Sequence, residues 1–224
     1  MDEPKPKRRR WYQFSLRTLL IVVLVLSLPL GWIGWKLEKA REQRKAVEAI
    51  LKEGASVWYD YQMKKETGVL IPGAEPPGPA WLRKLLGDDV FADVVQVFLR
   101  GDNVDSQLKQ IKGFTKMRTL HTYKHVTDAG LEHITGMKEL KILSLDGSQI
   151  TDEGLAHLSG LTELRLLMLS RTQITDAGLR HLNGLTKLTG LHVVDTRVTD
   201  DGAIELQEVL PNCEIVLRVT GEPP

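Results

Sequence analysis

The chain has 224 residues, 42% hydrophobic and 26% charged, with a formal net charge of +1. That balance excludes a disordered polyelectrolyte and a globally basic nucleic-acid binder. Its one cysteine, Cys213, excludes an intramolecular disulfide and every zinc or redox motif built on cysteine pairs.

Residues 4–10 contain five cations and two prolines, a tail with nothing to fold around. An uncharged run follows from Thr18 to Trp35. As a helix it would reach roughly 27 Å, close to a hydrocarbon core of roughly 30 Å. Trp11 and Tyr12 precede it and Trp32 and Trp35 end it, where interfacial aromatics belong. The run has no polar face, which argues against a buried core helix. Its end, Leu30-Gly31-Trp32-Ile33-Gly34-Trp35, lacks the small-x-small site of a cleaved signal peptide. The expectation is a single retained transmembrane helix at 18–35 behind a basic cytoplasmic tail, 1–17. Both flanks are positive, and the tighter arginine cluster places the N-terminus in the cytoplasm and exports the rest. The tail is read as a contact for anionic lipid, with no nucleic acid as partner.

Residues 36–93 are expected to form a juxtamembrane helix, a linker and an N-terminal cap. Leu37, Ala40, Val47, Ile50 and Leu51 recur at helical spacing in a helix that ends at Gly54. That stripe either packs on the neighbouring domain or pairs with another copy through residues 36–54. A strand is expected at 55–62, a Pro/Gly loop at 68–79, a helix over Trp81–Leu86 and a buried strand over Val94–Leu99.

Internal periodicity decides the rest. Residues 126–149, 150–173 and 174–197 are three consecutive 24-residue units, the last two identical at 13 of 24 positions. An imperfect unit begins at Val104 and a fading one at Val198, as the exposed ends of a stacked array require. Each unit carries an LxxLxL run: Leu140, Leu143 and Leu145, then Leu164, Leu167 and Leu169, then Leu188, Leu191 and Val193. These point into a core from short strands that stack as a parallel sheet. Thr151-Asp152, Thr175-Asp176 and Thr199-Asp200 offer hydroxyl and carboxylate caps to the helix that follows. Leu155, Leu158 and Leu161 bury against the strands, and Gly136, Gly160 and Gly184 close each helix.

The units resemble the leucine-rich repeat, in the short-helix variant of ribonuclease-inhibitor-like and F-box-associated arrays. The likeness covers residues 94–220, leaving a tail at 221–224. With the basic start and single span, the chain is similar to bacterial membrane-anchored members of that family, and it has no F-box. The resemblance implies an α/β solenoid with parallel strands on a concave face and short helices outside. It also implies a concave surface used for protein partners.

Alternation along each strand turns the residues between core leucines outward. One column is His121, Ser144, Met168 and His192; a second is Tyr123, Asp146, Ser170 and Val194; a third, at the strand exits, is Gln149, Gln173 and Arg197. These are the candidate partner-binding residues. His133, His157 and His181 recur at the repeat period, but no closely spaced ligand set accompanies them and a metal is not expected. The Thr-Asp pairs are accounted for as caps, Cys213 reads as a small buried hydrophobe, and no nucleotide or nucleophile motif is present. The expectation is a non-enzymatic binding module for a protein ligand, without cofactor. The alternative is a structural spacer or assembly element acting through its juxtamembrane helix.

Overall fold

The computed structural model describes residues 16–64, 69–122 and 124–217. Contacts divide the chain into two units, Met1–Lys39 and Ala40–Pro224. Helix α1 (Leu16–Lys52) is continuous for 37 residues and runs through both. Its second half is rich in Ala, Glu, Lys and Arg, the strong helix formers, and Gly54, at φ 86°, stops it.

In the first unit, Leu20, Val23, Val25, Leu28, Leu30, Trp32, Ile33 and Trp35 are exposed on all sides of α1. Lys36 lies 5.4 Å from the centre of the Trp32 ring and Lys39 5.7 Å from that of Trp35. Among the described residues no helix is long and apolar enough to cross a membrane. The expected span, 18–35, includes Thr18, Leu19, Val22 and Leu26, whose side chains lie outside the described residues. The tail up to residue 15 and the segment from 218 onward also lie outside them.

The second unit begins with the remainder of α1. Ala40, Gln43, Val47 and Ile50 are buried, and Val47 and Ile50 join the core beside Ala55 and Val94. This half of the apolar stripe therefore packs on the chain's own domain. Strand β1 (Ser56–Tyr59) pairs antiparallel with β2 (Val94–Leu99). It is shorter than expected because a 3-10 turn takes residues 60–62. The Asp60 carboxylate accepts from the Tyr61 N–H at 2.9 Å and the Gln62 side chain from the Tyr59 N–H at 3.0 Å. Such local side-chain bonds compete with a strand ladder. Helix α2 (Ala80–Leu86) starts behind Pro79 and ends at Gly87, φ 90°.

From β2 onward strands and helices alternate: α3 (Val104–Ile111), β3 (Thr119–Thr122), α4 (Asp128–Glu132), β4 (Ile142–Ser144), α5 (Asp152–Ala156), β5 (Leu166–Met168), α6 (Asp176–Leu179), β6 (Gly190–His192), α7 (Asp200–Val209) and β7 (Glu214–Val216). The seven strands form one sheet in sequence order, parallel from β2 to β7. Val97, Leu120, Leu143, Leu167, Leu191 and Ile215 stand opposite one another in turn. Every LxxLxL position is buried to 1% exposure or less, as are Leu155, Leu158 and Leu161.

Two local expectations need correction. Gly136, Gly160 and Gly184 do not close the helices, which end before them and continue into turns; none of the three has a positive φ. The Thr-Asp pairs also divide their labour differently. Thr151 accepts from the Glu153 N–H at 3.3 Å, Thr175 from the Ala177 N–H at 3.2 Å, and Thr199 from the Gly202 N–H at 3.1 Å. The aspartates bind forward, to the next unit. Asp128 Oδ1 accepts the Thr151 N–H at 2.9 Å and Oδ2 accepts the Thr151 hydroxyl at 2.6 Å. Asp152 does the same for Thr175, Asp176 for Thr199, and Asp105 for Thr127. The glycine of each Thr-Asp-x-Gly motif makes room for this. A Cβ on Gly154 would stand 2.1 Å from Asp128 Oδ1, and Gly130, Gly178 and Gly202 meet Asp105, Asp152 and Asp176 alike.

Asp152→Ala should cost about 2 kcal/mol, since it removes two hydrogen bonds to a charged group and strands a partly buried N–H. Gly154→Ala should break the Asp128–Thr151 bridge from the other side. Urea titration of Asp128→Ala, Gly154→Ala and the double variant should show a double loss well below the sum, because both remove one bridge.

Candidate functional site

The face of the sheet turned away from the core is where the candidate residues converge. His121 stands opposite Ser144, Ser144 opposite Met168, and Met168 opposite His192. The expected first column thus exists, in register, on four adjacent strands. His121, Met168 and His192 are half-buried, whereas Ser144 is buried at 8% exposure between larger neighbours. Ser144 is therefore the floor of the column and presents little to a partner.

The column is longer than repeat counting across the regular units indicated. Phe98 of β2 stands opposite His121, and Val216 of β7 opposite His192. Phe98 precedes His121 by one slightly shortened repeat, as the imperfect start of the array allows. Trp58 joins from β1, opposite Gln96. Its ring meets Phe98 edge-on at 5.0 Å, and Phe98 stacks on His121 at 4.3 Å and 14°. No repeat signal could have placed Trp58, since its strand runs antiparallel and outside the array. A parallel column, missed in the sequence, holds Thr119, Ile142, Leu166 and Gly190. Leu166 leans over Gly190, where a Cβ would meet its Cδ1 at 2.9 Å. The centre of this face is therefore apolar: Ile142, Leu166 and Met168, with three aromatic rings at the β1–β3 end.

The second column is partly committed to structure. Asp146 accepts the Ser170 N–H at 2.8 Å, and Asp146, Ser170 and Val194 are half-buried. Tyr123 lies outside the described residues. The strand-exit row, Gln149, Gln173 and Arg197, is exposed and sits beside the helix starts: Gln149 bridges to Thr127 and Arg197 to Thr175. Between the second and third rows the backbone turns left-handed, at Gly147, Arg171 and Asp195, each one repeat on from the last. His133 and His157 are half-buried and His181 exposed, on the helical side of the units.

Burial lowers the pKa of His121 below its ordinary 6.5, and the Asp146 charge opposes that shift. A histidine with a lowered folded pKa contributes stability above its unfolded pKa. That contribution is lost as pH falls through about 6.5 toward the folded value. Cys213 is buried at 1% exposure, and burial with the neighbouring Glu214 pushes its thiol up to about 11.

Residues 138–159 match the family described as Leucine Rich repeat. The fold is of the leucine-rich-repeat kind, α/β with parallel strands in one sheet and short helices. Among solved structures, the internalin C2 of Listeria monocytogenes str. 4b F2365 is 30% identical over 51% of this chain and 46% of its own, with a TM-score of 0.39. An internalin (inlF) of the same strain is 19% identical over 48% and 36%, TM-score 0.34. The ectodomain of the Arabidopsis thaliana receptor kinase SOBIR1 is 14% identical over 80% and 92%, TM-score 0.42. The chain spans less than half the length of either internalin chain. No curated protein matches it.

His121→Phe keeps a ring on Phe98 and removes the titration, so its urea midpoint should fall less than that of the parent between pH 7 and pH 5. A thiol reagent at pH 8 should leave Cys213 unmodified in the folded chain and modify it fully in denaturant, as absorbance of the released chromophore would report.

Proposed function

We propose that this chain is a non-enzymatic, membrane-anchored binding module whose open sheet face engages a protein. Repeats of this kind commonly serve protein–protein interaction. The observation that carries the reading is the register of Phe98, His121, Met168 and His192 beside Ile142 and Leu166. Six half-buried side chains, apolar or aromatic in the main, lie side by side on adjacent strands. Aromatic side chains offer large contact area for little ordering cost and methionine adapts its shape to a partner, the composition enriched where proteins meet.

Anchoring is supported by the exposed apolar stretch of α1. Leucines, valines and isoleucines on every side of a helix suit lipid far better than water. The pairings of Lys36 with Trp32 and Lys39 with Trp35 fit a headgroup boundary at that end. On this reading the protein is bacterial, single-pass, with its basic N-terminus cytoplasmic and touching anionic lipid and its repeats exported. The spacer alternative draws less support, since Ala40, Val47 and Ile50, three of the five residues of the stripe it needs for self-association, are buried in the chain's own domain.

The test is cross-linking and recovery of the full chain from its membranes beside a Met168→Glu/His192→Glu variant. Both side chains stand off the core, so the variant should fold, which circular dichroism checks. A partner recovered with the parent should fall at least about tenfold with the variant, as charge buried without a counter-ion costs more than about 1.4 kcal/mol. Equal recovery would sink the open-face reading.

A further inference from the structure

Outside the apolar stretch of α1, eight large hydrophobic side chains are exposed among the described residues, and five of them fall within residues 69–85. These five are Val69, Leu70, Ile71, Trp81 and Leu85, all in the segment that joins β1 to β2. The repeats expose only Ile204 and Val209, both on the last helix. Trp81 is 69% exposed and Leu85 73%. They stand one turn apart on α2 and so share one face of it. A soluble domain gains nothing from keeping an indole in water.

Two cations sit between them in the chain. Arg83 and Lys84, with Arg44, line a cavity of about 510 Å³ against Tyr59 and Tyr61. Asp88 and Asp89 line it too, but Asp89 is engaged by the Arg44 guanidinium at 2.9 Å and the Tyr59 hydroxyl at 3.1 Å. Arg83, two residues from Trp81 and so across the helix from it, has a side chain only 16% exposed and pairs with Glu75 at 3.4 Å, whereas Lys84 is exposed. The exposed Lys84 ammonium beside an exposed tryptophan and leucine matches the boundary of a bilayer. There the indole prefers the headgroup level, and long cations reach phosphate oxygens.

We propose that α2 is a second, peripheral membrane contact, with Trp81 and Leu85 entering the headgroup–acyl boundary while Lys84 takes a lipid phosphate. The inference rests on the anchored reading above, because a tethered chain turns a weak surface contact into an intramolecular one. A second copy fits this ridge less well. Trp81 and Leu85 together offer on the order of 300 Å² per partner, against about 800 Å² in a stable interface.

The buried Cys213 permits a direct test without its removal. The full chain bearing Leu85→Cys, or Thr162→Cys on an exposed turn of the repeats, is nitroxide-labelled and reconstituted into phosphatidylcholine–phosphatidylserine vesicles. The label at 85 should lose about fivefold or more of its accessibility to a water-soluble nickel chelate while gaining oxygen accessibility, and the label at 162 should not. Adding Trp81→Ala and Lys84→Glu should restore chelate access at 85 in chains that still float with the vesicles. Equal accessibility at the two sites in floating chains overturns the proposal and leaves the anchor standing. Dipolar broadening between labels at 85 assigns the ridge to a second copy and overturns it as well. Chains that fail to float overturn the anchored reading first, and this inference with it.

Discussion

Each aspartate that begins a short helix holds the threonine that begins the next, and the array depends on that bridge. Helices of four or five residues cannot persist on their own, since nucleation is costly and so short a run closes almost no internal hydrogen bonds. Their position must be imposed from outside. Hydrophobic burial supplies most of the energy, but it is non-directional and leaves the spacing between units loosely defined. A carboxylate that accepts one backbone N–H and one hydroxyl from a fixed place in the next unit has a direction and a length. It converts a stack of leucine layers into one with a set register.

The same bridge accounts for the economy of the Thr-Asp-x-Gly motif. Threonine receives the preceding aspartate and, at Thr151, Thr175 and Thr199, caps its own helix; aspartate reaches onward, and glycine leaves space for the carboxylate arriving from behind. Three of the four positions are thereby fixed by one interaction repeated four times, from Asp105 to Thr199. With the helical side so constrained, the strands on the opposite side fall into matching register. Residues one repeat apart come to stand about 4.7–4.9 Å from each other, the ordinary strand spacing. A column of side chains on the open face follows without any interaction selecting it. The helical side is thus structural, and the freedom to vary lies in the columns that face away from the core.

The N-terminal cap works by other means. There α1 lays Val47 and Ile50 into the core, β1 reverses direction, and the segment before β2 carries the exposed Trp81 and Leu85. None of this obeys the repeat period. The aromatic end of the open face, Trp58 on Phe98 on His121, is made where the cap meets the array, so the most distinctive part of the candidate site belongs half to each.

By itself the sequence determined the repeat, its length, the buried leucines and the first outward column. A strict period carrying LxxLxL leaves one way for strands to stack, and alternation then assigns every side chain a face. It also determined that a helix beyond residue 36 ends at Gly54. Tertiary structure alone decided what depends on contacts between units or across a non-repeating boundary. That Asp128 serves Thr151 and not its own helix cannot be read from a motif in which both caps are available. Ser144 is sunk by the bulk of His121 and Met168, its neighbours one repeat away on either side. Trp58 reaches the open face only because β1 pairs antiparallel with β2. Local pattern fixes which way a side chain points. What it meets there is set by residues far off in the chain.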